Sequence, residues 1–150
     1  MTPLTVIRLK PDTSGPVVYK PFSESDDFTE DWWVGDIYGF EPTQHLYSFF
    51  VGQDEVARVE IEIQDFINEE YEQPAHPGPY AVIHFLEVSG DYRRKGYGTE
   101  AVQMLAERYA GTPPVAFSAE ADDFWGSLGW ERYEHATEPY RHNSMFVGGA

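Results

Sequence analysis

Residues 80–109 constrain this chain more than any other stretch. Tyr80 to Val88 is almost continuously apolar, the composition of a central strand with both faces covered. From Glu100 to Tyr109 the residues Val102, Leu105, Ala106 and Tyr109 fall at helical spacing, and Gly111 with Pro113-Pro114 supplies the stop. Between the two lies Arg93-Arg94-Lys95-Gly96-Tyr97-Gly98-Thr99. A glycine loop that joins a strand to a helix offers backbone N–H groups and a helix N-terminus to a phosphate. The same loop holds three of the ten Lys and Arg residues in a chain of formal charge −16, so an anionic ligand is expected.

The other elements follow from pattern. Leu4 to Leu9 reads as a first strand, closed by a turn around Pro11 to Pro16. Phe22 to Thr43 is acidic and aromatic, with Phe28, Trp32, Trp33, Ile37, Tyr38 and Phe40 at loosely helical spacing, which predicts one or two short helices. His45 to Val51 and Glu55 to Gln64 predict a hairpin around Gly52-Gln53-Asp54. In its second strand Val59, Ile61 and Ile63 alternate with Arg58, Glu60 and Glu62, which predicts one buried face and one exposed face. Glu69 to Pro79 is a loop, Val115 to Ala119 a strand, and Asp122 to Ser127 a short helix stopped by Gly129. Trp130 to Glu134 and Ser144 to Val147 form a final hairpin. With 150 residues, 41% of them hydrophobic, and no repeat or linker, a single domain over 1–150 is expected.

Composition removes several functions. Without cysteine there is no disulfide framework, thiolate nucleophile or Cys-bound metal, and His45, His76, His84, His135 and His142 lack ligand-like spacing, so no metal is expected. No apolar run approaches the ~18 residues of a membrane-spanning helix, and Met1 to Lys10 lacks a signal-peptide core, so a cytoplasmic protein is expected. Glu24 to Glu72 carries 15 acidic residues against Arg58 alone. Such a surface repels nucleic acid and anionic membranes and attracts a cationic partner, although a plain solvated face has the same composition.

Three glycine-loop chemistries compete. A P-loop needs its lysine after the glycines, whereas Lys95 precedes them. Gly96-Tyr97-Gly98-Thr99-Glu100-Ala101 satisfies the dinucleotide pattern G-x-G-x-x-A, with Glu120 as a candidate ribose ligand. However, Gly90 to Lys95 separates the strand from the glycines, and too little chain follows Glu120 to complete a doubly wound sheet. The third pattern is Arg93-x-x-Gly96-x-Gly98 with Val88 ahead of it, followed by Ser118-x-x-Ala121-x-x-Phe124-Trp125 and Leu128-Gly129-Trp130. These two motifs resemble the acyl-CoA pyrophosphate loop and the downstream Asn-x-x-Ala-x-x-Phe-Tyr and Leu-Gly-Phe segments of the GNAT superfamily of N-acetyltransferases. The resemblance covers Tyr80 to Tyr133 well and the remaining chain through element order.

That resemblance implies a three-layer α+β fold: a mixed, mostly antiparallel sheet of about seven strands, splayed at the acyl-CoA site and flanked by about four helices. It implies acetyl transfer from acetyl-CoA to the amine of a small acceptor, with an acyl-CoA-binding or interaction module as the alternative; the acidic Glu24 to Glu72 segment mildly favours a polycationic acceptor. Backbone groups of Leu86, Glu87 and Val88 would pair with the pantetheine arm, and the Val88 amide would polarise the thioester carbonyl. Amides from Arg94, Lys95, Gly96, Tyr97, Gly98 and Thr99 would cradle the pyrophosphate, Arg93 and Arg94 would add charge, and Thr99 would cap the helix.

Two departures bear on catalysis. The glutamate that serves as base in several relatives aligns with Val82, which leaves His84 as the candidate base on the same strand face, since an imidazole titrates near neutrality. Glu60 and Glu62 on the preceding strand would bind the amine or act through water, and Glu87 points to the opposite face. The tyrosine that commonly protonates the departing thiolate aligns with Trp125, which cannot do so; Tyr133 is another phenol available to the role. Trp125 would then pack on the pantetheine arm, and Ser118 would replace the motif's asparagine as a hydrogen-bonding group. The resemblance also leaves a homodimer open, with the final hairpin as its contact.

Overall fold

The computed structural model describes residues 3–10, 15, 18–19, 22–23, 25–28, 36–37 and 42–149. Its main sheet has seven strands in the order β1-β4-β5-β6-β7-β9-β8. These are β1 (Thr5–Leu9), β4 (Gln44–Val51), β5 (Asp54–Gln64), β6 (Tyr80–Val88), β7 (Pro114–Phe117), β8 (Glu131–Tyr133) and β9 (Met145–Val147). A separate ribbon pairs β2 (Val18–Tyr19) with β3 (Asp36–Ile37). The sheet is mixed: β6 and β7 are parallel, whereas β1 with β4, β7 with β9 and β8 with β9 are antiparallel. A parallel pair needs a crossover, and the helix α1 (Tyr97–Arg108) provides it. The short helix α2 (Asp122–Ser127) follows β7.

By contact density the chain divides into two compact units, Met1–Ile61 with Phe85–Ala101 and Glu62–His84 with Val102–Ala150. The divisions fall inside β5, β6 and α1, where the sequence marks no boundary.

In the first unit β1 pairs with β4 from Thr5↔Phe50 to Leu9↔Leu46, and Phe22, Phe28 and Leu46 cluster with Leu9. In the second, Ile67, Tyr71, Tyr80, Val82, Val115, Met145 and Val147 form the core, with Phe117 and Tyr133 packed on it. Each fully buried aliphatic of this kind contributes about 1.5–3 kcal/mol relative to exposure. Along α1 the buried stripe is Tyr97, Ala101, Val102 and Leu105, the spacing of one helix face.

Two expectations change. Every residue of β5 from Val56 to Ile61 is buried, including Arg58 at 1% and Glu60 at 6% exposure, so the strand has no solvated face there. Arg58 tolerates burial because its guanidinium donates to Glu55 Oε1 at 2.8 Å and to the Ser23 carbonyl at 2.6 Å, and it lies 4.2 Å from the centre of the Phe28 ring. An unpaired guanidinium there would cost several kcal/mol.

The described residues contain α1, α2 and one 3₁₀ turn at Gly90–Tyr92. Most of 22–43, where one or two short helices were expected, lies outside the described residues; Asp36 and Ile37 are strand, and the Ser25 side chain accepts from the Asp27 N–H and its carbonyl from the Phe28 N–H. Trp32, Trp33 and nearly all of the Pro11 to Pro16 turn lie outside the described residues. Finally, α1 starts at Tyr97 rather than Glu100.

Candidate active site

The Ala81 N–H, near the start of β6, donates to the Pro113 carbonyl, and the Ser89 N–H, just beyond its end, donates to the Val56 carbonyl. His84 and Phe85 are consecutive and both exposed. The ladder to β7 runs from Ala81 to Ile83, and β6 continues to Val88. Val82 is 1% exposed, and the His84 side chain is 35% exposed.

Beyond Val88 the backbone is shaped for an anion. After the 3₁₀ turn, Arg94 has φ of 60° and Gly96 φ of 87°. Positive φ at the two residues flanking Lys95 is compatible with an anion-holding nest of successive N–H groups. The first helical bond runs from the Glu100 N–H to the Gly96 carbonyl at 3.1 Å, so the amides of Tyr97, Gly98 and Thr99 precede the hydrogen-bonded ladder of α1. Gly96 therefore occupies the cap position, and Thr99 sits inside the first turn rather than at the cap. Arg94 and Lys95 are both exposed. These features fit a diphosphate.

Arg93 is used differently from its neighbours. Its Nε donates to the Val88 carbonyl at 2.9 Å, and Nη2 lies 3.6 Å from the carboxylate of Glu87, itself 9% exposed. The guanidinium thus braces the base of the loop on the strand that leads into it. Glu87 faces this brace.

One flank of the loop is acidic. The Tyr92 hydroxyl donates to Asp54 at 2.6 Å, which raises the phenol above its ordinary range, and Tyr92 packs edge-on against Tyr97. Beside it lies a cavity of about 450 Å³ lined by Asp27, Asp54, Glu55 and Asp91, with Tyr92 and Lys95. Sequence reasoning missed this flank, because its acids come from three separated segments.

In the second unit, Glu62 and Gln64 meet His84. Gln64 Nε2 donates to Glu62 Oε1 at 2.7 Å, and His84 Nε2 lies 3.4 Å from Gln64 Nε2 and 3.8 Å from Glu62 Oε1. Glu60 was expected beside Glu62 on an exposed face, but it is buried.

The remaining motif residues serve local structure. Ser118, 2% exposed, accepts from the Ala121 N–H through Oγ and donates its own N–H to the Ser144 carbonyl. Trp125, 6% exposed, packs between Phe124 and Trp130 with ring centres 4.9 and 5.1 Å away. The Tyr133 hydroxyl donates to Glu131 at 2.6 Å, and that bond is the main reason its phenol is pushed up to about 12. Among the described residues no group of three or more His, Asp or Glu is placed to hold a metal ion, and no helix is long and apolar enough to cross a membrane.

Residues 9–122 match the Acetyltransferase (GNAT) family. The chain belongs to this family. It is accordingly a transferase. Two solved structures share the fold. The Bacillus subtilis N-acetyltransferase YlbP in complex with coenzyme A superposes with a TM-score of 0.55 at 17% identity, over 70% of this chain and 67% of that one. An acetyltransferase from Thermus thermophilus gives 0.54 at 18% identity, over 71% and 64%. No curated protein matches the chain.

Proposed function

We propose that this GNAT protein is an N-acetyltransferase that moves acetyl directly from acetyl-CoA to the amine of a small cationic acceptor. The observation that carries the reading is the nest formed at Arg94 and Gly96 against the start of α1. The amides of Arg94 to Thr99 hold the diphosphate, and Arg94 and Lys95 add charge. Backbone groups of Leu86 to Val88 receive the pantetheine arm, and the Val88 amide polarises the thioester carbonyl. Acetyl-CoA supplies the acyl group already activated as a thioester, so the chain's own residues have to orient it and manage one proton.

His84 is the base in this reading. It takes the proton of the acceptor's ammonium, and Glu62 at 3.8 Å stabilises the imidazolium that results. The free amine then attacks the carbonyl carbon, the C–S bond breaks, and coenzyme A leaves as a thiolate that takes up the second proton released from the acylated nitrogen. Glu60, buried in β5, supports that strand beneath Glu62. The acidic stretch from Glu24 to Glu72 favours a polyamine-like acceptor.

The deciding measurement is thiol release from acetyl-CoA against a panel of amines, for the native protein and for His84→Gln. Turnover on a polyamine, lost by about 10²-fold or more in His84→Gln with coenzyme A affinity intact, is the expected result. Turnover that survives the substitution would remove His84 from the mechanism. A polyamine KM that ignores added salt would reject the electrostatic selection of the acceptor.

A second reading has its own observation. Trp125 replaces the usual phenol, and Tyr133 is tied to Glu131. A module that binds acyl-CoA without efficient transfer would show coenzyme A binding and no thiol release on any amine. A homodimer through the β8–β9 hairpin, whose β8 is a sheet edge, also belongs to the proposal and is read by analytical ultracentrifugation.

A further inference from the structure

Arg58 is the most buried charged side chain of the first unit, and nothing in the transfer chemistry uses it. It reaches two pieces of the chain at once. One Nη2 contact is the Ser23 carbonyl at 2.6 Å and another is Glu55 Oε1 at 2.8 Å, while its guanidinium lies over the Phe28 ring at 4.2 Å and the Phe22 ring at 5.2 Å. The segment from Phe22 to Phe28 is otherwise irregular, so this buried cation is the principal described tie between it and β5.

Both pieces that Arg58 grips touch the glycine loop. The Asp27 carbonyl, next to Phe28, accepts from the Gly90 N–H at 3.4 Å, at the first residue after the β6 corner. Asp54, next to Glu55, accepts from the Tyr92 hydroxyl at 2.6 Å. Gly90 and Tyr92 begin and end the 3₁₀ turn that leads into Arg93 and the left-handed pair at Arg94 and Gly96. The turn is therefore bonded at both ends to residues that adjoin the partners of one guanidinium.

We propose that Arg58 is a positioning residue for the acyl-CoA loop, acting through the Phe22–Phe28 segment on Gly90 and through Glu55 and Asp54 on Tyr92. The choice of residue type follows from geometry. A guanidinium bonds in one plane to a carboxylate and a carbonyl while presenting its face to an aromatic ring, whereas an ammonium is a point charge without that face. The proposal rests on the acetyl-CoA reading of the loop for its functional consequence, and its structural consequence stands without it.

The test uses the whole chain and three variants. Arg58→Met paired with Glu55→Gln replaces the buried pair without leaving a lone charge, an exchange that cores often tolerate. Arg58→Lys keeps the charge but gives up the planar fork. Amide hydrogen exchange at Gly90 and Tyr92 is expected to accelerate by about tenfold or more in the double variant, with amides of α2 unchanged. Coenzyme A affinity is expected to weaken by roughly ten- to hundredfold, since small misplacements of a binding element carry such costs. Arg58→Lys should fall between the native protein and the double variant in both measurements.

Unchanged exchange at Gly90 and Tyr92 in a folded double variant overturns the proposal. So does accelerated exchange throughout the protein, which would mark a general packing role. If the native chain binds no coenzyme A, the acetyl-CoA reading fails, and the local exchange result alone decides the positioning. Where the double variant does not fold, Phe28→Leu removes the ring beneath the guanidinium; the same local acceleration supports the proposal, and its absence overturns it.

Discussion

Gly96 and Gly98 sit two residues apart in one loop, yet their replacement by alanine should move stability in opposite directions. Gly96 has φ of 87°, in the left-handed region, where a β-carbon costs about 1–2 kcal/mol. Gly98 lies inside α1 and is not among the residues with positive φ, so alanine there recovers up to about 1 kcal/mol of helix propensity, less in a first turn. For a chain of this length each kcal/mol corresponds to roughly 2–4 °C in Tm. Gly96→Ala should therefore melt a few degrees below the native protein and Gly98→Ala level with it or slightly above. Coenzyme A binding, measured by calorimetry, should nonetheless weaken in both. In the first the loop loses its turn, and in the second a methyl group stands where a phosphate oxygen approaches the amides. Only Gly98→Ala separates the two properties, because it gains stability while losing ligand. A more stable Gly98→Ala with native affinity would refute close approach at that amide. A Gly96→Ala that melts with the native protein would refute the backbone argument.

Tyr133→Phe is expected to leave kcat within twofold. A phenol near 12 that must protonate a thiolate of pKa about 8.5 faces an uphill transfer of roughly 5 kcal/mol, so it makes a poor acid. A large loss of kcat would return Tyr133 to the mechanism. Glu131→Gln removes the bond that holds the phenol up, so ultraviolet titration should show one tyrosine ionising closer to pH 10; a late transition that persists would reject Glu131 as the cause. Because the folded phenol is shifted upward, its contribution to stability is complete below pH 10 and is lost as pH rises toward about 12, a dependence that Glu131→Gln should flatten. Gly148→Ala should destabilise by about 1–3 kcal/mol, since its β-carbon would stand 2.7 Å from Pro114 Cγ and 2.8 Å from the Trp130 ring. A native melting temperature would show that this corner can yield.

The sequence was most legible where one physical signal dominated. The continuous apolar run gave β6 its observed limits, Tyr80–Val88, and the Asp122–Ser127 helix coincides with α2. The cationic glycine loop likewise sits where strand meets helix. Reading failed where distant residues override local pattern. Arg58 alternates like an exposed residue, but Phe28, Ser23 and Glu55 make burial acceptable, and none of these contacts has a signature in the alternation. Arg93 was grouped with Arg94 and Lys95 by type, whereas geometry turns it back onto Val88. The acidic flank of the loop required Asp27, Asp54 and Asp91 to converge from three places, which only the fold supplies.

Burying Arg58 also alters how the molecule meets an electrolyte. It is the sole basic residue between Glu24 and Glu72, and at 1% exposure it presents no charge to water. That stretch therefore contributes no exposed Lys or Arg, and its excess of carboxylates draws mobile cations from the medium. Added salt then acts in two opposed ways. It relaxes the mutual repulsion of the carboxylates and so favours the compact chain, and it competes for the same carboxylates with any cationic molecule arriving from solution. The ionic strength that best preserves the protein need not be the one at which it captures such a molecule most readily.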